Sequence, residues 1–485
     1  MNSGAPVVIV GAGITGLSAA HRIVERARDG EPPPPLLVLE SSDRIGGQIR
    51  TDRVGGFVLE GGPDTLVTQK PAGVRLCERL GLGPDLEDLA SRHPGTEILW
   101  NRRLHRVPDG FAMMAPTRLA PVLASRLFSW RGKLRMAAER FVRARPEGVD
   151  DESLASFVTR RFGREALDRA AEPIAASLFT ADARHLSLRV TMPRFLDLER
   201  RHGSVLRGLS VAAFQSHGAS GARLGAFVAL RGGFSRLVEA LAARLPPSSV
   251  KTGARVASID RSSMRGGWTV RLEEGEAIDA AAVILASPAF EAARVLRRHD
   301  EGLAKALDLL PYASCATVSL AYDKRALTRP LRSFGFFVPS VSGLPLLACS
   351  YVSEKFPSRV PSGTIVLRAF LGGATRPEIL DASDDALARI AHEILREVLS
   401  IGGEPVAAYT YRYPRAMPQY GVGASAWLAE VARSASAHPG LAIAGSAAGA
   451  VGLPDAIRSG EEAADRIAEV SESPARVACQ ADQKA

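Results

Sequence analysis

Residues 7–16 read Val-Val-Ile-Val-Gly-Ala-Gly-Ile-Thr-Gly, and this stretch decides the fold. The four apolar residues at its start are mostly β-branched, which is typical of a buried strand in a parallel sheet. Glycines then follow in the pattern G-x-G-x-x-G, and a helical pattern covers 17–27. The first glycine permits a tight turn, the second lets a diphosphate approach the backbone, and the third lets helix and strand pack closely. The stretch predicts a Rossmann-type dinucleotide site; the alternative is a glycine-rich turn without a ligand.

A second predicted strand supports the dinucleotide site. It covers 36–39 and ends at Glu40, which lies 24 residues after Gly16. An acid about 20 residues beyond the glycines is the usual partner of a ribose 2′-hydroxyl. The predicted cofactor contacts from this part of the chain are Gly11, Gly13, Ile14, Thr15, Gly16, Glu40 and Ser41.

The loop after the second strand favours FAD over NAD. It reads Ser-Ser-Asp-Arg-Ile-Gly-Gly-Gln-Ile-Arg-Thr over 41–51 and resembles the second motif of the flavin-dependent amine oxidase superfamily. The resemblance implies that Gly46 and Gly47 let the backbone approach FAD and that Arg44 adds positive charge beside the diphosphate. It further implies cofactor contacts from Gly62, Pro63, Asp64, Val256, Gly452, Leu453 and Pro454. We expect non-covalent FAD, because Ala456 occupies the site nearest to the C-terminal flavin turn and no cysteine lies there.

Composition sets the class of molecule and its charge. With 485 residues, 46% hydrophobic and 23% charged, the chain is long enough for two or three globular domains. The net charge is +9, and residues 102–145 alone contain eleven Lys and Arg against two acids. This basic segment is either a solvated helical face or a surface for an anionic substrate or membrane. We do not expect a nucleic-acid partner, since no nucleic-acid-binding motif accompanies the charge.

Cysteine usage and hydropathy indicate a cytoplasmic protein. The four cysteines are scattered without a C-x-x-C pair, which argues against a disulfide framework or a zinc site, and no metal is predicted. No signal peptide is visible, and no stretch approaches the about 18 apolar residues of a membrane span. Peripheral membrane contact through the basic segment and formation of a homodimer both stay open.

Patterning along the chain predicts an α/β fold: a Rossmann-type FAD-binding domain, a mixed-sheet substrate domain and a mostly helical insertion. The FAD-binding domain is expected from three pieces, 1–85, 227–300 and 411–470. Residues 86–205 form the helical, basic region, 206–226 and 301–410 form the substrate-binding domain, and 471–485 form a disordered tail.

Four further stretches identify a narrower family. They are Gly-Gly-Pro-Asp at 61–64 with Lys-Pro at 70–71, Asp-Ala-Arg-His-Leu-Ser at 182–187, Met-Pro-Gln-Tyr at 417–420 and Gly-Leu-Pro-Asp at 452–455 with Ile-Arg-Ser-Gly at 457–460. With them, residues 5 to 470 resemble the oxygen-dependent protoporphyrinogen/coproporphyrinogen oxidases of haem biosynthesis. The stretch 101–108 and the Ala-Pro-Thr at 115–117 are similar to the Gram-positive-type branch, whose members act on coproporphyrinogen III. Thr96, where the other branch has a propionate-binding Arg, and Asp64, where it commonly has Asn, favour the same substrate, and protoporphyrinogen IX stays open.

The resemblance implies a six-electron oxidation in which the flavin is the catalyst, O₂ reoxidises it and H₂O₂ is released. No Ser-His-Asp, Cys-His or metal-ligand constellation competes with that interpretation. Asp64 is expected either to orient the substrate through a pyrrole N–H or merely to cap its turn. The implied substrate contacts are Lys70, Ser177, Phe334, Phe337, Arg368 and Phe370, for which a surface lysine and plain core aromatics are the alternatives.

Other functions share this scaffold. A flavin amine oxidase or a carotenoid desaturase is the alternative among enzymes, although the basic surplus suits neither an amine nor a long apolar insertion. A Rab-escort-like binding protein is the alternative outside enzymes, but it would not keep the Arg-Ile-Gly-Gly stretch and the C-terminal flavin turn together.

Overall fold

The computed structural model describes residues 4–27, 32–89, 95–145, 151–217, 226–262 and 267–482. The strands are Val7–Val10 (β1), Leu36–Leu39 (β2), Thr51–Val54 (β3), Phe57–Glu60 (β4), Leu66–Val67 (β5), Leu86–Asp88 (β6), Glu97–Trp100 (β7), Arg103–Arg106 (β8), Phe111–Ala112 (β9), Ala115–Pro116 (β10), Phe227–Leu230 (β11), Val250–Lys251 (β12), Val256–Arg261 (β13), Trp268–Leu272 (β14), Ala277–Ala280 (β15), Ala282–Leu285 (β16), Tyr312–Asp323 (β17), Gly335–Phe337 (β18), Leu346–Tyr351 (β19), Thr364–Gly372 (β20), Ala407–Pro418 (β21) and Leu441–Ile443 (β22).

The α-helices are Ile14–Glu25 (α1), Ala72–Arg79 (α2), Leu119–Ala124 (α3), Trp130–Ala137 (α4), Leu154–Phe162 (α5), Arg164–Ala166 (α6), Glu172–Phe179 (α7), Leu188–Thr191 (α8), Pro193–His202 (α9), Val205–His217 (α10), Ser235–Ala242 (α11), Ala289–Leu296 (α12), Glu301–Asp308 (α13), Val352–Lys355 (α14), Asp384–Leu399 (α15), Ala424–Ser436 (α16) and Leu453–Asp482 (α17).

A five-stranded parallel sheet in the order β12-β2-β1-β16-β22 forms the predicted Rossmann core. Strand β1 lies in its centre, and all four of its residues are buried. Alternate residues of β1 enter two different cores: Val7 and Ile9 pack beneath α1, α11 and α17, whereas Val8 and Val10 pack against the β13–β15 layer and α12. Coverage of both faces explains why β1 is apolar throughout rather than alternating.

A mixed sheet in the order β21-β17-β20-β19-β18-β7-β8 forms the second domain. The pair β18–β7 is parallel and the other pairs are antiparallel, which confirms the predicted mixed sheet. Because side chains alternate along a strand, one face of this sheet carries Leu367 and Ala369 against α15, and the other carries Arg368 and Phe370. We call the second face the site face.

The helical region has a core of its own. Helices α5, α7, α9 and α10 bury Phe157, Ile174, Phe195 and Leu209 in it, and Phe337 of the site face packs against it. The basic segment folds into this region as α3, α4 and short strands.

Four predicted boundaries differ from the structure. Residues 97–106 form β7 and β8 of the mixed sheet, not part of the helical region, because hydrogen bonding to β18 places them at its edge. The boundary at 411 falls inside β21. Helix α10 packs with the helical core, although 206–226 is predicted to belong to the substrate-binding domain. Residues 218–225 lie outside the described part of the chain. In contrast to the disorder expected over 471–485, the backbone is helical as far as Asp482; this part of the sequence contains several alanines, which favour helix. The last three residues lie outside the described part.

Candidate functional site

The first βα turn has the geometry of a dinucleotide site. Gly11 has φ +106°, and a Cβ on Gly16 would lie 1.9 Å from the Gly11 carbonyl oxygen, so both positions require glycine. At Gly13 the nearest atom to such a Cβ is 4.0 Å away, which leaves the backbone there open to a ligand. Helix α1 starts at Ile14, three residues earlier than predicted, so its first amides point at the same opening.

Glu40 lies where the sequence predicts the ribose-binding acid. Its Oε2 accepts a hydrogen bond from the Ala12 amide at 2.8 Å, and its Oε1 accepts from the Ser42 amide and hydroxyl, both at 2.9 Å. These contacts fix the carboxylate at the carboxyl edge of β1 and β2, where dinucleotides bind in doubly wound sheets.

The loop over 44–48 closes the other side of the opening. The Gly46 amide donates to the Ala12 carbonyl at 2.8 Å, and a Cβ on Gly47 would lie 3.2 Å from the Gly13 Cα. The Arg44 guanidinium donates to the carbonyl oxygens of Gly47 at 2.6 Å and of Ile49 at 3.1 Å. Arg44 therefore shapes its own loop, whereas its motif predicts a charge beside the diphosphate. Residues 11–16 and 44–48 together with Glu40 are called the cofactor edge below.

The turn over 61–64 connects the cofactor edge to the site face of the mixed sheet. A Cβ on Gly62 would lie 2.0 Å from the Gln48 carbonyl oxygen, and one on Gly61 would lie 2.7 Å from the Tyr413 hydroxyl. The Gly61 carbonyl accepts a hydrogen bond from Thr317 Oγ1 at 3.0 Å. Arg368 Nη2 donates to the carbonyls of both Gly61 and Gly62. Hydrogen bonds from β17 and β20 thus fix the backbone of the turn.

Asp64 ends this turn inside a group of cations. Its Oδ2 lies 3.0 Å from Lys355 Nζ and 4.0 Å from Arg368 Nη1, and its side chain is 14% exposed. Burial alone would raise the pKa of Asp64, but the charges of Lys355, Arg368 and Arg359 outweigh it and lower the pKa to about 2. Asp64 is therefore an anion that only accepts hydrogen bonds at neutral pH.

A second buried acid, Glu60, completes the group. It accepts from Thr51 Oγ1 at 2.7 Å and from the Phe234 amide at 2.8 Å, and Arg359 Nη1 lies 3.5 Å away. Burial raises the pKa of Glu60 in spite of these partners. A small cavity separates the two acids, and Ser319 and Phe356 also line it. We call Glu60, Asp64, Lys355, Arg359 and Arg368 the charge cluster.

The C-terminal turn, around Gly452, leads into α17, which packs against α1 of the cofactor edge. Gly452 has φ +79° and no atom within 4 Å of its missing Cβ, and Leu453 begins α17. Helix α17 crosses α1 closely, because a Cβ on Gly460 would lie 2.1 Å from the Thr15 carbonyl oxygen. Lys70 forms an ion pair with Asp455 in the first turn of α17, although the family resemblance implies a substrate propionate as its partner. The Lys70 side chain is 47% exposed and stays open to a further anion.

The structure groups some of the predicted substrate residues and separates others. Phe370 and Phe337 flank Ala348 across neighbouring strands of the site face. Arg368 lies 4.8 Å from the Phe370 ring and is 2% exposed, so it holds the 61–64 turn and does not reach open space as the predicted propionate ligand would. The Ser177 hydroxyl donates to the carbonyls of Pro173 and Leu347, at 2.8 and 3.0 Å.

The remaining predicted residues lie at the ends of strands. Phe334 precedes β18 and is half-buried; its amide donates to Gly95 at 2.8 Å. Val256 begins β13, and its carbonyl accepts from Arg294 Nη2 at 2.7 Å. The residues that sequence reasoning missed are Lys355, Arg359 and Thr317, which come from separate elements and carry no local pattern of their own.

Two of the quoted sequence stretches meet in space. The Ser187 amide donates to the Tyr420 carbonyl at 2.8 Å, and the Val422 amide donates to the His185 carbonyl at 3.0 Å. Gln419 Nε2 donates to the Phe179 carbonyl at 3.2 Å. The stretches 182–187 and 417–420 thus join the helical region to the two sheets, which gives them a structural reason to occur together.

The geometry defines a protein with a Rossmann-type dinucleotide site, whose cofactor edge is joined through the 61–64 turn to a sheet face of aromatic and buried charged side chains. Residues 14–468 match the family model described as flavin containing amine oxidoreductase. The chain belongs to this family, an oxidoreductase family, so the predicted family, fold class and flavin cofactor are confirmed. The open backbone at Gly13 and Gly452 fits FAD, and the non-covalent attachment stays a prediction.

Individual relatives match over nearly the whole length. The chain is 33% identical to the coproporphyrinogen III oxidase of Bacillus subtilis (strain 168), over 94% of this chain and 96% of that protein. It is 30% identical to protoporphyrinogen oxidase 1, chloroplastic, of Arabidopsis thaliana, over 95% and 87%. A solved structure from Exiguobacterium sp. 255-15, provisionally named a protoporphyrinogen oxidase, superposes with TM-score 0.83 at 28% identity, covering 96% of this chain and 99% of that one.

Two features are absent from the part of the chain that the structure describes. No helix among them has the length and hydropathy needed to cross a bilayer. No group of three or more His, Cys, Asp or Glu among them is arranged to hold a metal ion.

Proposed function

We propose that this chain oxidises coproporphyrinogen III to coproporphyrin III in haem biosynthesis, with O₂ as the electron acceptor. The observation that carries the proposal is the 33% identity, over 94% of the chain, to a protein named coproporphyrinogen III oxidase. The site supports it, because the 61–64 turn contacts Gln48 of the cofactor edge on one side and Arg368 of the site face on the other.

The proposed reaction removes six electrons and six protons from the macrocycle. Three O₂ are reduced to three H₂O₂, so the reaction balances over three two-electron cycles. FAD held at the open backbone of Gly13 and Gly452 would supply the acceptor for hydride from a methylene bridge and the route for electrons to O₂. The protein needs no strong side-chain base, because the pyrrole N–H becomes acidic as the bridge carbon loses hydride.

The chain's own residues bind and orient the macrocycle. Phe337 and Phe370 offer a flat apolar surface at the centre of the site face, and Lys70 offers a cation at the first turn of α17. Asp64, ionised and 14% exposed, offers one carboxylate edge to a pyrrole N–H. Arg368 and Lys355 act as positioning residues, since they hold the turn and the charge state of Asp64.

Two positions further support the choice of coproporphyrinogen III over protoporphyrinogen IX. Thr96 lies immediately before β7 at the edge of the mixed sheet, and its carbonyl accepts from the Val107 amide at 3.0 Å. Its side chain brings no cation for the propionate contact of the protoporphyrinogen branch. Asp64 keeps a carboxylate where that branch commonly has Asn.

The test is growth of porphyrin fluorescence under air, with coproporphyrinogen III and protoporphyrinogen IX assayed side by side on the purified holoenzyme. Faster turnover of coproporphyrinogen III supports the proposal. Faster turnover of protoporphyrinogen IX overturns the substrate choice, and oxidation of neither substrate by the flavin-loaded protein overturns the function. A putrescine assay in parallel tests the amine oxidase alternative.

We further propose peripheral binding to an anionic membrane through α4 and the residues after it. Trp130, Leu134 and Phe141 expose 70%, 66% and 81% of their surface. Positions 130 and 134 share one helix face, and the same segment contains four exposed arginines: Arg126, Arg131, Arg140 and Arg143. The only acid in residues 119–145, Glu139, is buried against Arg161. Apolar side chains ringed by cations are typical of interfacial segments.

Co-sedimentation with vesicles tests this surface. We expect binding to phosphatidylcholine vesicles that contain phosphatidylglycerol, and loss of binding when Trp130, Leu134 and Phe141 are all replaced by Ser. The matched control replaces Leu309 and Val406 by Ser, because both are exposed outside this region. Equal sedimentation of the triple variant and the control contradicts the proposal.

A further inference from the structure

Arg415 is an exposed arginine in an uncommon backbone conformation. Between Ala313 and Cys315 the register of β17 and β21 shifts, so that residues 414–416 of β21 lie opposite Ser314 alone. In this bulge Arg415 has φ +46°, the left-handed region that an arginine rarely adopts, and its amide donates to Ser314 Oγ at 2.9 Å. Bulges and such strained residues occur preferentially beside functional sites, where they aim a side chain.

The bulge directs Arg415 toward the carboxyl edge of the five-stranded sheet. The guanidinium carbon lies 3.6 Å from the centre of the Phe290 ring. Phe290 is the second residue of α12, which begins just after β16 ends. The Ala286 amide between them donates to the Val10 carbonyl at 2.9 Å, and a Cβ on Gly11 would lie 3.1 Å from the Ala286 carbonyl oxygen. Arg415 thus stacks on the helix that follows β16, and the end of β16 packs against the glycine turn.

A second contact joins the same bulge to the cofactor edge. Gln48 Nε2 donates to the carbonyl of Ala416 at 2.6 Å. Gln48 follows Gly47, whose backbone packs directly against Gly13 of the glycine turn. The bulge is therefore bonded to the loop that closes the cofactor edge, and Arg415 is adjacent to that bond.

The charge of Arg415 lacks an acidic partner in the described part of the chain, where no carboxylate lies within 4 Å of it. Stacking on Phe290 holds the guanidinium in place and leaves its N–H groups available. By contrast, Arg44 spends its N–H groups on the carbonyls of its own loop. A diphosphate bound at the α1 N-terminus would meet the free guanidinium of Arg415.

We propose that Arg415 is the side chain that supplies the positive charge to the diphosphate of bound FAD, and that Arg44 acts by shaping the 44–48 loop. The inference rests on the flavin site and is independent of the substrate. The FAD diphosphate and a substrate propionate both present anionic oxygens that Arg415 could bind. The experiment therefore distinguishes these two ligands.

The experiment follows release of FAD from the holoenzyme after dilution, by the rise of flavin fluorescence at low ionic strength. Arg415→Asn removes the charge without disturbing the turn, because Asn accepts a left-handed φ more readily than Arg. We expect FAD release about 10- to 100-fold faster, the range expected when a hydrogen bond to a charged group is lost. The difference from the wild type should shrink as salt rises, since the contribution is Coulombic. Arg415→Lys keeps the charge and should release FAD more slowly than Arg415→Asn.

The matched control is Arg298→Gln. Arg298 is also exposed and lies just beyond the far end of α12 from Phe290, so its release rate should equal that of the wild type. Unchanged release in Arg415→Asn overturns the proposal, and a raised KM for the porphyrinogen at saturating FAD would assign Arg415 to a substrate propionate instead. Faster release that is equal at all ionic strengths also overturns it, because the effect would then come from the fold of the bulge. Absence of porphyrinogen oxidation would overturn the proposed function but would not affect this test, which measures FAD release alone.

Discussion

The cofactor edge and the charge cluster lie on either side of the 61–64 turn and are built by opposite means. The cofactor edge consists of backbone groups and missing side chains: Gly16 leaves no room for a Cβ, and Gly13 keeps its backbone open. The charge cluster consists of two acids and three cations, which come from five separate segments and form ion pairs in the interior. Shape determines the first region and electrostatics the second. Substitutions in the cofactor edge should therefore abolish FAD binding outright. Substitutions in the charge cluster should lower the free energy of unfolding in smaller steps that depend on pH.

The largest effect is expected for Gly16→Ala in the cofactor edge. Its Cβ would lie 1.9 Å from the Gly11 carbonyl oxygen, and both atoms belong to rigid backbone. We expect a loss of about 3 kcal/mol or more in the free energy of unfolding and a protein purified without flavin colour. Absorbance of the purified variant near the flavin band and its thermal midpoint check this. Gly402→Ala is the control, because the same Cβ in an exposed loop meets its nearest atom at 3.6 Å, and it should purify yellow.

Arg368→Met tests the charge cluster from its centre. It removes the donor that holds the Gly61 and Gly62 carbonyls and leaves a buried acid with one cation fewer. We expect about 3 kcal/mol of destabilisation, in the range for breaking a buried ion pair, with FAD still bound and turnover strongly reduced. Urea unfolding and flavin absorbance measure the two separately. Arg368→Lys should recover part of the stability by restoring the charge; if Lys and Met behave alike, the charge is irrelevant and the comparison of the two regions fails.

The difference between the regions also explains what could be predicted from the sequence. The glycines and Glu40 of the cofactor edge act on neighbours close in the chain, so their spacing predicts their geometry. Strand alternation likewise places Arg368 and Phe370 on one face, but it does not say what fills the space above them. Arg368 was therefore expected to bind a propionate, whereas it lies under the 61–64 turn.

The rest of the charge cluster depends on tertiary structure alone. Lys355 ends a four-residue helix, and Arg359 follows in a short turn; neither position belongs to a sequence pattern. Their partners, Asp64 and Glu60, lie almost 300 residues away in the chain. No local rule connects such segments, and only the packing of β4, β20 and α14 brings them together.

Lys355→Met should make stability depend on pH in a defined window. In the wild type the pKa of Asp64 is about 2, below the value of about 3.9 in an unfolded chain. The stabilisation is therefore complete above about pH 4 and is lost as the pH falls toward 2. We expect the variant to be less stable by about 2 kcal/mol at pH 7, with the difference closing between about pH 4 and 2. Denaturant unfolding across this range measures it.

The control for Lys355→Met is Lys251→Met. Lys251 pairs with Glu276 at 2.9 Å, but both side chains are about half exposed, so the pair contributes little. A constant difference between wild type and Lys355→Met at every pH would mean that Lys355 acts by packing and not through the charge of Asp64.

The smallest effect is expected for Thr317→Val, which lies where the two regions meet. The substitution keeps the shape of a buried side chain and removes one hydrogen bond, from Oγ1 to the Gly61 carbonyl at 3.0 Å. That carbonyl also accepts from Arg368, so it does not lose its last partner. We expect about 1 kcal/mol in the free energy of unfolding and unchanged flavin content. If Thr317→Val instead lacks FAD as Gly16→Ala is expected to, FAD binding is as sensitive to the position of the 61–64 turn as it is to the shape of the cofactor edge. Gly61 would then belong to the region determined by shape and not to the region determined by charge.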